Sequence, residues 1–210
     1  MNIAIVGAGN VGRGLGTVLA EKHTVIFASR DIDAAESAAV AAGPRAIFDR
    51  VPEAIRQADV VVLAVPYASV GEVIKSAPLS SKVVVDVTNP LTDDYSGLTV
   101  GFETSAAEEI QKQLVGTPVV KAFNTVFAQI YAHGTELGNR RVQVFCASDD
   151  DAARATVIKL AADAGFEPVD AGELKNARFI EPLAALNIQL GYAMGHGTQI
   201  APVWITRTAA

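Results

Sequence analysis

The chain has 210 residues, half of them hydrophobic (50%) and only 19% charged, with 17 Lys and Arg against 23 Asp and Glu. That length suits one domain that buries most of the surface its unfolded form would expose, and the apolar content excludes disorder. The net charge of -6 argues against broad binding to nucleic acid, and the single Cys146 excludes an intramolecular disulfide framework and points to a reducing compartment, the cytoplasm.

No cleavable leader is expected, because Met1-Asn2-Ile3-Ala4-Ile5-Val6 carries no basic segment and meets glycine at once. Short β-branched runs then alternate with Ala-rich segments. The runs predict strands at 2–6, 24–28, 45–47, 60–64, 82–87, 118–122, 142–147 and 166–170. Helices are predicted between them at 11–22, 33–42, 52–57, 70–76, 106–114 and 150–164, with a last one at 176–194. Val60-Val61-Val62-Leu63-Ala64 and Val83-Val84-Val85 are continuously apolar, as strands covered on both faces should be. The pattern implies an α/β fold: a doubly wound, Rossmann-type parallel sheet with a small C-terminal α/β extension. With no repeat and no flexible linker, residues 1–210 read as one body.

The first strand runs into Gly7-Ala8-Gly9-Asn10-Val11-Gly12, which fits G-x-G-x-x-G. In a strand–turn–helix unit these glycines serve a tight turn, close approach of the backbone to a pyrophosphate, and packing of helix on strand. The helix N-terminus then offers unpaired N–H groups to the phosphates. An NAD site usually places Asp or Glu at the end of the second strand. Here Ser29-Arg30 stands there, suited to the 2′-phosphate of NADP, with Arg30 as a solvated surface charge the competing reading. Asp31 and Asp33 are expected to cap the next helix.

Ligands of such sheets lie outside the carboxyl ends of the strands. Those ends nominate Ala64, Val65, Pro66 and Tyr67, then Asn89 before Pro90, then Asn124 and Thr125. The Asn89 amide suits a ribose or a nicotinamide carboxamide, or simply an Asx turn. Asn124 and Thr125 suit a substrate ring, or the cap of a helix from Val126. No metal site is expected, since His23, His133 and His196 form no metal-spaced pair and Asp149-Asp150-Asp151 reads as helix N-terminal charge. Glu108 and Glu109 read as solvated, and Cys146 as a small core residue. No general acid–base pair announces itself, which suits hydride transfer between stacked rings.

Residues 182–206 contain no Asp, Glu, Lys or Arg. Polar residues, glycines and Pro202 interrupt the run, so a buried helix is expected rather than a membrane span. Leu183, Leu186, Leu190 and Met194 recur at helical spacing. They suit either a core helix, or one that packs on a partner subunit while Leu190 and Met194 roof the nicotinamide pocket. His196 is the histidine expected nearest that pocket.

Taken together, Gly7–Gly12, Ser29-Arg30, Asn89-Pro90-Leu91, Thr104-Ser105-Ala106-Ala107-Glu108-Glu109, the run from Val119 to Thr125 and the segment from Ala177 to Leu183 resemble the NADPH:deazaflavin oxidoreductase family. The resemblance covers nearly the whole chain. It implies an NADP-binding part at about 1–125 and a part at 126–210 that closes over the nicotinamide and forms a homodimer. It also implies hydride transfer between NADP(H) and a flavin or 8-hydroxy-5-deazaflavin ring, coenzyme F420. By position it assigns Ala8, Gly9, Asn10 and Val11 to the pyrophosphate, Ser29 and Arg30 to the 2′-phosphate, and Ala128 to the nicotinamide end. Asn124 stands where archaeal members of the family carry a histidine. The Lys-Ala-Phe-Asn-Thr form is similar to the NADPH-binding domain of transmembrane metalloreductases. Two alternatives stay open: a hydroxy-acid or imine dehydrogenase, and a non-catalytic NADP(H)-sensing module.

Overall fold

The computed structural model describes residues 1–207. Six parallel strands, β1 (Asn2–Val6), β2 (Thr24–Ala28), β3 (Ala46–Asp49), β4 (Val60–Leu63), β5 (Val83–Asp86) and β6 (Val119–Lys121), lie in the order β3-β2-β1-β4-β5-β6. The helices α1 (Asn10–Ala20), α2 (Ile32–Ala42), α3 (Val51–Gln57), α4 (Val70–Ser76) and α5 (Ala106–Gln113) follow strands one to five in turn. The order reverses between β1 and β4, where doubly wound sheets bind their ligands.

Alternation along the strands explains why their runs are apolar throughout. Ile3, Ile5, Val60, Val62, Val85 and Val120 face one buried cluster, while Ala4, Val6, Val61, Leu63, Val84 and Val119 face another. Each strand therefore has no polar face to show. Helix α1 lies close to the sheet because a Cβ on Gly16 would overlap the Phe27 ring.

The chain continues through α6 (Ala128–His133), a short antiparallel hairpin of β7 (Glu136–Leu137) and β8 (Arg140–Arg141), β9 (Gln143–Cys146), α7 (Asp151–Asp163), β10 (Glu167–Asp170) and α8 (Ala177–Ile188). Strands β9 and β10 are parallel to each other, and an antiparallel bridge joins Lys121 to Ala147 through two backbone hydrogen bonds of 2.9 and 3.0 Å. The extension thus prolongs the sheet edge. Its Val144, Cys146, Val157 and Leu160 share one core cluster with Ile3 and Phe27.

Most predicted elements stand within two residues of the observed ones, and Asp31 and Asp150 cap α2 and α7. Five expectations need correction. The third strand is Ala46–Asp49, displaced from 45–47 by its register with Val25–Ala28. The helix after β6 starts at Ala128 with Phe127 at its N-cap, so neither Asn124 nor Thr125 caps it. Glu108 is not solvated: it accepts both Nε and Nη2 of Arg178, at 2.9 and 2.6 Å, and the Ser105 hydroxyl at 2.8 Å, while Ser105 Oγ caps α5 by accepting the Glu108 N–H at 3.2 Å. The long last helix ends as α-helix at Ile188, and Gln189–Ala193 forms a π turn in which Met194 N–H reaches Gln189 O at 2.9 Å. Nor is the leucine face of α8 its core face. Ala177, Ile180, Glu181, Ala184 and Asn187 are buried, whereas Leu186 is 55% and Phe179 73% exposed.

Candidate active site

Two neighbouring clefts open at the carboxyl ends of the strands. The smaller, about 310 Å³, is lined by Gly7, Ala8, Gly9, Ser29, Arg30, Ala64, Val65, Pro66 and Glu72 among others. Gly7 sits at φ +117, and a Cβ there would overlap the Ala64 carbonyl, while one on Gly12 would overlap the Gly7 carbonyl. These two glycines are required by the fold itself. Gly9 differs, since nothing lies within 4 Å of a Cβ built on it. The open space over Gly9, at the N-terminus of α1, is what a pyrophosphate needs, so the turn fits the dinucleotide. Arg30 lies at the rim, 83% exposed, with Nη1 3.8 Å from Glu72. Glu72 was not foreseen: it lies more than 40 positions along the chain, and only the fold brings it to the cleft.

The larger cavity, about 780 Å³, lies where β1, β5, β6 and α8 converge. Asn10, Val11, Asn89, Asn124, Thr125 and Ala128 all line it. The Asn89 side chain donates to the Asn124 backbone carbonyl at 2.9 Å, and the Asn124 amide donates to Asn89 Oδ1 at 3.0 Å. Asn124 Oδ1 is buried beside the cavity without a partner among the described residues. Asn187 donates to Thr125 O at 3.1 Å, so α8 closes the far wall. Phe123 holds φ +61 while buried, a conformation disfavoured for a side chain of that size, and it too lines the cavity.

Three nominated residues lie elsewhere. Tyr67 begins a 3-10 turn that directs it to a separate depression with Glu103, Glu109 and Gln113. Burial, with Glu109 and Glu181 adding repulsion, pushes its phenol pKa up. Leu190 and Met194 do not line the cavity, and Met194 is 65% exposed. The π turn inserts one residue, which rotates the side chains after it by about 100° and brings Tyr192 and Ala193 to the cavity instead. Tyr192 meets Phe127 edge-on, with centroids 5.5 Å apart at 88°. His196, expected near the pocket, is exposed and absent from its lining. Cys146 is a buried thiol that burial pushes up to about 12, so it is no nucleophile.

Behind the cavity lies a buried charge cluster that sequence patterns do not signal. The Lys121 Nζ sits 2.9 Å from both Asp86 Oδ2 and Glu181 Oε1, and donates to Thr88 O at 2.6 Å. Glu181 also accepts the first N–H groups of α5, from Ala106 at 2.9 Å and Ala107 at 3.2 Å. Burial alone would lower the Lys121 pKa, but the two carboxylates outweigh it and hold the ammonium above its ordinary range. The cluster ties α8 to the ends of β5 and β6.

This fold and these clefts define a dinucleotide-binding protein of the doubly wound class. Comparison with known proteins narrows the class. The profile of the family described as NADP oxidoreductase, coenzyme F420-dependent, matches residues 2–90. The chain is 33% identical over 211 aligned residues to the F420-dependent NADP reductase of Methanothermobacter thermautotrophicus, covering 90% of this chain and 89% of that one. It is 30% identical to the metalloreductase STEAP3 of Rattus norvegicus over 86% of this chain, but spans only 36% of that relative. A crystal structure of a provisionally assigned F420-dependent NADP reductase from Arthrobacter sp. FB24 superposes with a TM-score of 0.81 at 28% identity, covering 93% of this chain and 96% of the other. The chain belongs to the coenzyme F420-dependent NADP oxidoreductase family and is an NADP-dependent oxidoreductase.

Proposed function

We propose that the protein transfers hydride between NADP(H) and a flavin or deazaflavin ring, with coenzyme F420 one member of that acceptor class. In this reading Gly7, Ala8, Gly9, Asn10, Val11 and Gly12 form the pyrophosphate turn, with Ser29 and Arg30 at the 2′-phosphate. The wall of Ala64, Val65 and Pro66 flanks the adenosine side. Asn89, Asn124, Thr125 and Ala128 hold the nicotinamide end. NADPH gives up a hydride, the acceptor ring takes it with one proton from water, and NADP⁺ and the reduced ring leave. The observation that carries the proposal is the cavity beyond Asn10, which is large enough for two stacked rings and presents Phe127 and Tyr192 in its wall. Ring-to-ring transfer depends on alignment and exclusion of water, which such a wall supplies. Steady-state oxidation of NADPH with deazaflavin, riboflavin, FMN and FAD tests it. Turnover with at least one ring is expected, and inertness toward all four contradicts the reading.

The protein acts as a homodimer in this proposal, with Phe179 and Leu186 on the outer face of α8 covered by a second copy. Both are exposed seven positions apart on one face of α8, and a contiguous exposed apolar face marks an interaction surface. A fully active monomer in analytical ultracentrifugation would overturn this part. No helix among the described residues is long and apolar enough to cross a membrane, and a cytoplasmic setting, with its supply of NADPH, completes the reading.

A further inference from the structure

Past the π turn the described chain forms neither helix nor strand, yet it is fastened along its length. The N–H groups of His196 and Gly197 return to Leu190 O and Gly191 O, at 3.1 and 3.0 Å. A Cβ on Gly191 would lie 2.7 Å from the Phe127 ring and 3.0 Å from Gly197 O, so only glycine lets the turn seat between them. Ile200 and Ala201 pack on the core cluster that contains Phe127.

The far end is held by one side chain. Gln143, buried on β9, accepts Trp204 N–H at 2.7 Å and donates to Trp204 O at 3.0 Å. A primary amide carries a donor and an acceptor side by side, so it pairs with residue 204 as a neighbouring strand would. The Trp204 ring meets Phe145 edge-on, with centroids 5.2 Å apart. None of Gln143, Phe145 and Trp204 lines the larger cavity.

The near end is different. Tyr192 and Ala193 stand in the cavity wall, though both are exposed and Gly191 is the one buried residue of their turn. A turn with so few buried contacts opens locally at little cost unless it is tied down. Resting on the hydride-transfer reading, we infer that Gln143 is a positioning residue for the acceptor. Its clasp on Trp204 anchors the strap from Met194 to Val203. Through Gly197 and Gly191 that strap keeps Tyr192 against Phe127, at the wall where the acceptor ring stacks. The dinucleotide turn lies on other elements, so NADPH binding does not depend on the clasp.

Gln143→Leu keeps the bulk and removes both bonds. The experiment measures KM and kcat for 5-deazariboflavin with NADPH, Kd for NADPH, and amide hydrogen exchange, in the wild type and in the variant. Trp204 is the chain's single tryptophan, so quenching of its fluorescence by acrylamide reads the clasp directly. Exchange is expected to quicken over 189–204 alone, and quenching to strengthen. KM for the ring should rise about five- to twentyfold with Kd for NADPH unchanged. Gly191→Ala, which pries the strap from its other end, should raise the same KM, and it carries the test if Gln143→Leu does not fold. A clasp that only stabilises the fold lowers the active fraction instead. A fall in kcat at unchanged ring KM would therefore overturn the inference, as would exchange at 189–193 unmoved by the substitution. A wild type inert toward the ring, with exchange at 189–193 still quickened in the variant, would remove the hydride-transfer reading and leave the coupling standing.

Discussion

Asn89 and Asn124 hold each other across the ends of β5 and β6, one through a backbone carbonyl at 2.9 Å and the other through a side-chain carbonyl at 3.0 Å. The pair fixes two loops at the cavity wall and leaves Asn124 Oδ1 as a free acceptor beside it. Asn124→Leu leaves Asn89 Oδ1 without its donor, while the Asn89 amide keeps the backbone carbonyl of residue 124, so the chain should lose about 1–3 kcal/mol of stability. The same change should lower kcat/KM for NADPH by tenfold or more, about 1.4 kcal/mol of transition-state stabilisation. Chemical denaturation and steady-state kinetics measure the two effects, and an unaffected kcat/KM would remove Asn124 from the site.

The buried cluster of Lys121, Asp86 and Glu181 makes a sharper demand. Replacing Lys121 by Met leaves two buried carboxylates without their shared cation, which should cost about 3–5 kcal/mol. A large fall in Tm is expected. The triple variant Lys121→Met, Asp86→Leu, Glu181→Gln should recover part of it, because no uncompensated charge then stays inside. The raised pKa of Lys121 also has a sign: its contribution is complete below the pKa of the unfolded lysine and is lost as pH rises through the higher folded value.

Much of this architecture was legible in the sequence, for physical reasons that also mark where legibility ends. The strands show because Val60 to Leu63 and Val83 to Val85 are covered on both faces, and the glycine turn shows because its geometry forbids side chains at Gly7 and Gly12. The cavity residues nominated at strand ends, Asn89, Asn124 and Thr125, converge as the topology requires. Contacts distant in sequence left no local trace: Glu72 beside Arg30, Glu181 beside Lys121, and Arg178 on Glu108. The roof was misassigned to Leu190 and Met194 because a helical period was carried through a π turn, which uncharged sequence does not announce. The leucine spacing of α8 left a core face and a partner-facing one both open, and the core reading fails for Leu186 because the inward face carries Glu181 and Asn187, whose partners lie on other elements.

Cofactor choice should respond in opposite directions to two substitutions in the smaller cleft. Arg30→Ala should weaken NADPH binding by about tenfold to a hundredfold, the range of a charged hydrogen bond, and leave NADH nearly unaffected. Glu72→Gln removes the carboxylate that shares Arg30 and should tighten NADPH severalfold. Titrations of both dinucleotides against both variants measure this. Indifference to Arg30→Ala would refute the 2′-phosphate assignment.

Acid stability should depend on His23. Burial is the main influence on this ring, and together with the charge of the N-terminus it lowers the pKa below 6.5, although Asp163 opposes the shift from 3.2 Å. The unfolded chain therefore takes up the proton first as pH falls, so stability drops between 6.5 and the lower folded value. His23→Gln should show a smaller difference in Tm between about pH 7.5 and about pH 5.5 than the wild type.

The direct passage of hydride from nicotinamide to ring is tested most directly with NADPH deuterated at one C4 position and 5-deazariboflavin as acceptor. The carbon at position 5 of a deazaflavin keeps a transferred deuterium that a flavin nitrogen would exchange with water. The account predicts deuterium on that carbon from one of the two C4 epimers and protium from the other. Solvent hydrogen on the reduced ring with both epimers would contradict it.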